Sequence, residues 1–547
     1  MVDRAVKLSP ARIAAMRESG LWPDKLILDF FDRWVAEKPD ATLVTDHNSM
    51  TGLDTALSYR EMDRRSRRIA LALARAGIGK DDVVAWQLPN WWQFMAMHLA
   101  CLRIGAVSNP LMPIFREREL EFMLGFADAK ALVIPRSFRH FDYPQMVAGL
   151  RPQLPQLRHV WVVGGDGPDS FEAALLDGPA ADDGLFAQRR PGPNEVIELL
   201  YTSGTTGQPK GVMHTSNTLV SNLVTVAREL AMGGEDVVLM ASPLAHQTGF
   251  LYGQLLPIVL GARTVFQDIW DPAAAAALIE REGVTFTMGA TPFLADLTNT
   301  PAIERHDISS LRTFVSGGAP IPRVLVHQAT ERLQCSVHAI WGMSENGIVT
   351  LTKRGDPPEK IFETDGVAMP GFELRVVDED RRVVPADTEG DLQVRGMGQF
   401  VGYAKRPEAW GTDADGWFDT GDRARMDGDG YIRIVGRSKD IIIRGGENVP
   451  VAEVEELLYR HPAVADAAVV AMPDERLGER GCAVLTLKPG NRLDFDAMAR
   501  FLAEQHMARQ YMPEQLVVID EMPRTPSGKI QKYRLREMVQ NQKPARG

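Results

Sequence analysis

The sequence predicts a large N-terminal domain of layered α/β sheets with a small β-rich subdomain, followed by a small α+β C-terminal domain. Three observations carry this. Apolar runs of strand length alternate with stretches of helical periodicity through the first part of the chain, as when helices cover a sheet. After Gly366 the pattern turns to short alternating strands joined by acidic or glycine turns. Past Arg437 helices and strands mix again, over about a hundred residues, an ordinary domain size. At 547 residues the chain is also longer than one hydrophobic core usually serves.

Taken in order, residues 26–36 repeat apolar side chains at helical spacing. Residues 57–60 read as a short extended segment, and 61–76 as a helix ending near Gly77. Residues 83–88 form a strand pattern, and 91–104 a buried helix closed by Gly105. Strand patterns return at 131–134, 159–163 and 196–200, and 216–230 has helical spacing. Residues 179–194 read as a polar loop without periodicity. The β-rich part comprises 372–377, 391–395 and 431–435. In the last domain, helices are expected at 451–460 and 495–504, and strands at 465–471 and 482–487. The boundary is placed at Ser438-Lys439-Asp440, dividing the chain into 1–438 and 439–547.

The chemistry concentrates first at residues 201–210, Tyr-Thr-Ser-Gly-Thr-Thr-Gly-Gln-Pro-Lys. Gly204 and Gly207 let the backbone turn with its N–H groups exposed, a concavity suited to phosphate oxygens. Thr202, Ser203, Thr205 and Thr206 add hydroxyl donors, and Lys210 adds a positive charge. Gln208-Pro209 separates Gly207 from Lys210, so this is not a Walker loop. By composition alone, a plain solvated turn is as good a reading. Gly396, Gly398 and Gly402 lack the spacing of a dinucleotide fingerprint.

The run from Thr202 to Gly211 resembles the phosphate loop of the adenylate-forming superfamily. That family includes acyl- and aryl-CoA synthetases, firefly-type luciferases and the adenylation domains of peptide synthetases. Further segments resemble the family in its order along the chain. Ser316-Gly-Gly-Ala-Pro320 is similar to the adenine-binding segment, which implies adenine contacts for Gly318, Ala319 and Pro320. Trp341-Gly-Met-Ser-Glu345 stands where the family usually has Tyr-Gly-x-Thr-Glu. The resemblance implies that Trp341 packs on adenine, that Gly342, Met343 and Ser344 face ATP, and that Glu345 binds Mg²⁺. Tryptophan keeps a π face and serine keeps the hydroxyl. Gly416-Trp-Phe-Asp-Thr-Gly-Asp422 matches the ribose segment, with Asp422 accepting from the ribose hydroxyls and Arg437 assisting.

By the same resemblance, Lys439 is the hinge about which a mobile C-terminal domain turns. Arg444, Gly445, Gly446 and Glu447 form the loop facing the CoA arm. Lys529, in Pro523-Arg-Thr-Pro-Ser-Gly-Lys529, matches the catalytic lysine that meets carboxylate and α-phosphate. His246 and Gly249, with Gly317, fall beside the acyl pocket, where the histidine position gates entry. Catalysis is thus expected from Lys529, Glu345, Lys210 and Thr205.

The whole implies an ATP-dependent carboxylic acid–CoA ligase working through an acyl-AMP, with ATP, Mg²⁺ and CoA. Its acid would be medium-chain, aromatic or alicyclic, with cyclohexanecarboxylate as the specific expectation. An acyl-AMP ligase loading a carrier protein, a luciferase-like oxidase and a non-catalytic nucleotide-binding protein are the alternatives. A net charge of −11 argues against nucleic acid as a principal partner. Cys101, Cys335 and Cys482 are too scattered for a disulfide framework. No stretch approaches the roughly 20 apolar residues of a membrane span. The first 22 residues have no apolar core, so no secretory signal is read and a cytoplasmic enzyme is expected. A homodimer is one compatible assembly, and a lysine acetyltransferase acting on Lys529 would remove its charge.

Overall fold

The computed structural model describes residues 10–541 apart from 180–183, 203–208, 319–320, 438–441, 445–446, 475–477, 506, 508 and 526–527. Two sheets organise the N-terminal domain. In the larger, nine strands among the described residues run in the order Val367–Ala368, Gly347–Leu351, Ser336–Met343, Thr313–Gly317, Phe286–Gly289, Val237–Met240, Arg263–Gln267, Thr42–Asn48 and Leu53–Ser58. Its interior is parallel, and antiparallel strands close both edges. The second sheet runs Lys210–Thr215, Val196–Thr202, Val107–Pro110, Val83–Trp86, Ala131–Pro135 and His159–Val163.

Parallel strands covered on both faces must be apolar along their length. Val83–Trp86 and Ala131–Pro135 are accordingly buried at every position. Helix Trp92–Ile104 lies against this sheet with all of its residues buried, as a sequence apolar on every side apart from Gln93, His98 and Arg103 demands. It ends where Gly105 takes a φ of +68°, which a side chain would resist. Helix Tyr59–Arg75 is amphipathic instead, and the Ser58 hydroxyl caps it by accepting from Glu61 N–H at 3.2 Å.

A four-stranded antiparallel sheet, Phe372–Val377, Gly390–Gly396, Phe418–Met426 and Ile432–Arg437, forms the β-rich subdomain. The C-terminal domain has a sheet and cores of its own. Val454 and Leu458 of helix Val451–Arg460, with Met498 and Leu502 of Phe495–Glu504, pack on Val469 and Leu485. No helix among the described residues is long and apolar enough to cross a membrane.

Two expectations are corrected, and one strand is added. The extended segment at 57–60 begins earlier, as Leu53–Ser58, and Tyr59 and Arg60 already belong to the capped helix. The loop at 179–194 contains helix Leu185–Arg189, which buries Phe186. Between the Gly/Thr-rich segment and helix Ser216–Glu229, where the sequence offers no strand pattern, lies strand Lys210–Thr215, paired antiparallel with Val196–Thr202.

One buried acid yields a pH-dependent prediction. Asp46, on strand Thr42–Asn48, accepts from the backbone N–H of Trp92 at 2.9 Å, where helix Trp92–Ile104 begins. Burial pushes its carboxyl up to about 7; the Trp92 N–H opposes this, while Asp268 and Asp54 add to it. Its folded value therefore lies above the unfolded one. The folded chain keeps a proton that the unfolded chain has released, so stability falls as pH rises from about 4 to about 7. Asp46→Asn keeps an acceptor without the charge. It should melt higher than wild type at pH 8 and nearly equally at pH 4; parallel melting curves across that range would contradict this.

Candidate active site

The site begins at the hairpin of the second sheet. Thr202 and Lys210 face each other in register, bracketing residues 203–208. The Lys210 ammonium lies 4.8 Å from the ring centroid of Tyr403, and the Tyr403 O–H donates to Glu345 Oε1 at 2.7 Å. A cation, an aromatic face and a carboxylate are thereby connected from one sheet to the other. Burial, with the Glu345 charge beside it, holds the Tyr403 hydroxyl well above its ordinary value, so it stays a donor.

Glu345 sits just past strand Ser336–Met343 with 6% of its surface exposed. The backbone N–H of Phe400 donates to its carbonyl at 2.6 Å, fixing the turn. Trp341, on the same strand, donates its indole N–H to Asp422 Oδ2 at 2.9 Å. The other Asp422 oxygen pairs with Arg437 Nε at 2.9 Å, across adjacent strands of the β-rich sheet. A buried acid of this kind needs such partners. The tryptophan that departs from the expected tyrosine therefore ties the large sheet to the subdomain.

Lys529 reaches this region from the C-terminal domain. Its ammonium value is lowered, chiefly by burial and then by Arg437, while Asp422 and Glu345 pull the other way. The loop before it is self-braced. Thr525 N–H donates to Lys529 O at 2.7 Å and Lys529 N–H donates to Thr525 Oγ1 at 3.0 Å. Arg524 donates to Gly528 O and to the Asp466 carboxylate. Gly528, at a φ of +84°, lies close to the N-terminal domain: a Cβ there would come within 3.1 Å of Ala290 Cβ.

Lys529 lines a cavity of about 40 Å³ together with His246, Gln247, Tyr252, Gly317 and Ile340. Gly318, Gly342, Met343 and Ser344 complete the same wall. Burial, and then the Lys529 charge, push His246 down to about 3, so the ring is neutral at ordinary pH and better suited to packing than to proton transfer.

Of the residues singled out in the sequence, the cavity and its rim gather His246, Gly317, Gly318, Gly342, Met343, Ser344 and Lys529. Glu345, Trp341, Asp422, Arg437 and Lys210 are joined by the contacts above, with Thr202 beside Lys210. Gly249 does not line the cavity. It stands behind it, where a Cβ would come within 2.3 Å of Pro243 O, so the glycine permits close packing of the loop. Arg444 is on the C-terminal sheet, paired with Glu514 at 2.6 Å rather than directed at the cavity. Glu447 lies on the neighbouring strand Glu447–Val449. Ser203, Gly204, Thr205, Thr206, Gly207, Ala319, Pro320, Lys439, Gly445 and Gly446 lie outside the described residues.

Tyr403 carries no signal in the sequence beyond its place after Gly402. Gln247 falls in the run from His246 to Tyr252 that the sequence assigns to the acyl pocket, whereas Ile340, beside Trp341, carries no signal of its own. As for a metal, among the described residues no three His, Cys, Asp or Glu side chains converge. One buried carboxylate beside a lysine-flanked hairpin suits Mg²⁺, which takes one or two carboxylates and completes its shell with phosphate oxygens and water.

The hairpin lysine, the buried Glu345 carboxylate and a lysine from the small C-terminal domain thus come from three separate parts of the chain to one region. Residues 31–404 match the family model of the AMP-binding enzyme, and residues 453–529 that of the AMP-binding enzyme C-terminal domain. The chain belongs to the AMP-binding enzyme family. It is 39% identical over 531 residues to a medium-chain fatty-acid–CoA ligase of Escherichia coli, covering 96% of this chain and 93% of the relative. To a salicylyl-CoA synthase / salicylate adenylyltransferase of Streptomyces it is 33% identical, covering 96% and 95%. The crystal structure of ATP-bound MatB from Rhodopseudomonas palustris superposes with a TM-score of 0.85 at 27% identity, covering 94% of this chain and 99% of that one.

Proposed function

We propose that the protein is an ATP-dependent carboxylic acid–CoA ligase that works in two steps through an acyl-AMP. The observation that carries this reading is Lys529, which the C-terminal domain places in the wall of the cavity, within electrostatic reach of the Glu345 and Asp422 carboxylates and the Arg437 guanidinium. In the first step a carboxylate oxygen attacks the α-phosphorus of ATP. An O–P bond forms, the α–β bridge breaks, and pyrophosphate leaves with the electron pair. Such chemistry asks the protein for positioning and charge neutralisation more than for covalent help. Lys529 would hold the carboxylate against the α-phosphate, and Lys210 and the hairpin would hold the outer phosphates. Trp341 and Gly318 would flank the adenine, with Asp422 and Arg437 at the ribose. Mg²⁺ held through Glu345 would neutralise phosphate charge.

In the second step the C-terminal domain turns about Lys439 and withdraws Lys529. The loop from Arg444 to Glu447 then faces the CoA thiol, which attacks the acyl carbonyl and releases AMP. Acetylation of Lys529 would remove the charge on which the first step depends. Three buried free cysteines fit a reducing, cytoplasmic setting.

The E. coli relative supports a medium-chain acid, and the Streptomyces relative an aromatic one; an alicyclic acid such as cyclohexanecarboxylate lies between them in shape. The double name of the Streptomyces relative also keeps acyl-AMP transfer in view as a second reading. The test is AMP formation with and without CoA across acetate, hexanoate, decanoate, palmitate, cyclohexanecarboxylate and benzoate. CoA-dependent turnover highest with six- to ten-carbon acids is expected. Acid-dependent pyrophosphate release that CoA fails to accelerate would point to carrier loading instead.

A further inference from the structure

Behind the cavity lies a buried polar strip that the reaction does not use. Glu198, midway along strand Val196–Thr202, is 0% exposed. One carboxyl oxygen accepts from the Gln247 amide at 3.5 Å, the outer limit of such a bond, and the other has no partner among the described residues. Gln247 lines the cavity beside His246, and its own carbonyl oxygen is likewise unpartnered.

More polar groups lie on the same side. Ser108 is the parallel-strand neighbour of Glu198 and bonds His98 Nδ1 at 2.8 Å. The His98 ring stands edge-on to Phe250 at 4.9 Å, with Nε2 unpartnered. Gln254, about one turn after Phe250 in the same helical segment, has neither amide atom paired. Buried polar groups are ordinarily satisfied, and Gln247 in the cavity wall with Glu198 directly behind it, both left short, call for a ligand or water to complete them.

The charge state suits this. Burial pushes the Glu198 carboxyl up to about 8, with only the Gln247 bond opposing, so at neutral pH it is a neutral acid with an O–H to donate. Gln247, in the first turn of the helical segment that runs on to Leu255, lines the cavity and sets its amide against Glu198, between the carboxyl and the open space.

We infer that the acyl pocket continues past Gln247 to a polar floor formed by Glu198 and Gln247, and that it selects carboxylic acids bearing a hydroxyl or keto group remote from the carboxylate. This deepens the acid–CoA ligase reading and rests on it. A purely hydrocarbon acyl group would leave the floor unsatisfied. A keto or hydroxyl oxygen would accept from the Glu198 O–H, and a hydroxyl would in addition donate to the open Gln247 carbonyl oxygen; sites built to pair a substrate hydroxyl discriminate strongly against the analogue lacking it.

The experiment compares kcat/KM for CoA-dependent AMP formation on matched acids: hexanoate with 6-hydroxyhexanoate, cyclohexanecarboxylate with 4-hydroxy- and 4-oxocyclohexanecarboxylate, and benzoate with 3- and 4-hydroxybenzoate. The wild-type enzyme should favour the substituted member of at least one pair by about tenfold or more. Glu198→Leu and Gln247→Leu should each lower that ratio at least several-fold. Glu198→Gln, which still donates and accepts, should retain most of it. Thermal melting of each variant identifies one that fails to fold, and Gln247→Leu then carries the test alone. A wild-type preference for the unsubstituted member of every pair would overturn the inference while leaving the ligase reading intact. So would a ratio unchanged by both leucine variants. Absence of AMP formation from every acid would remove the ligase reading, and the polar floor with it.

Discussion

Replacing Lys529 by alanine is expected to slow adenylation by about 10²–10³-fold, the scale seen when one preorganised charge-stabilising donor is lost. The ammonium is the cationic group that the C-terminal domain delivers to the cavity, and its loop is held by Thr525 and Arg524. Its charge is maintained against burial by Asp422 and Glu345. Alanine removes the charge while leaving the backbone bonds of the loop in place, so the fold should be unaffected. Thioester formation from supplied acyl-AMP should survive far better, because in the second step the lysine has left. Pyrophosphate release and acyl-CoA formation from synthetic acyl-AMP, measured separately, check this. Equal loss in both half-reactions would place Lys529 in general support of the fold rather than in the first step.

Asp422→Ala should lower kcat/KM for ATP by about 10- to 100-fold, because two charge-assisted hydrogen bonds disappear together. Trp341 loses its acceptor and Arg437 its counter-ion. The indole N–H is then buried without a partner, and Arg437 is left to bear more heavily on Lys529. Asp422→Asn separates these effects. The amide oxygen can still accept from Trp341, so melting should recover, but the charge that balances Arg437 is gone and the KM for ATP should stay high. If Asp422→Asn restored both, neutral hydrogen bonding alone would explain the residue.

Much of the fold could be read because individual segments bury one clear face. Helices Val451–Arg460 and Phe495–Glu504 coincide with their sequence patterns, since each is amphipathic and flanked by residues that end it. The start of helix Tyr59–Arg75 is hidden in the sequence because Ser58 acts as a cap, and a capping serine resembles any polar residue closing a strand. Leu185–Arg189 is not legible in the sequence, because a five-residue helix with one buried aromatic has no measurable period.

The site was legible for a different reason. Glu345, Asp422 and Lys529 lie far apart in the chain, and nothing in their local surroundings separates them from solvated charges; a family resemblance supplied them. The bonds that join them were not legible. That Trp341 holds Asp422, or that Tyr403 links Lys210 to Glu345, depends on side chains meeting across two sheets. Glu198 is the converse case. It stands inside an apolar run read simply as a buried strand, and only the packed structure shows its carboxyl short of a partner.

The most direct measurement is a product balance: purified enzyme with ATP, Mg²⁺, hexanoate and CoA, with AMP, pyrophosphate, ADP and hexanoyl-CoA quantified together. One AMP and one pyrophosphate for each acyl-CoA formed, with none of them in the absence of acid, is the expected result. ADP and phosphate in place of AMP and pyrophosphate, or ATP turnover indifferent to the acid, would contradict the two-step ligase built on Lys529 and Glu345.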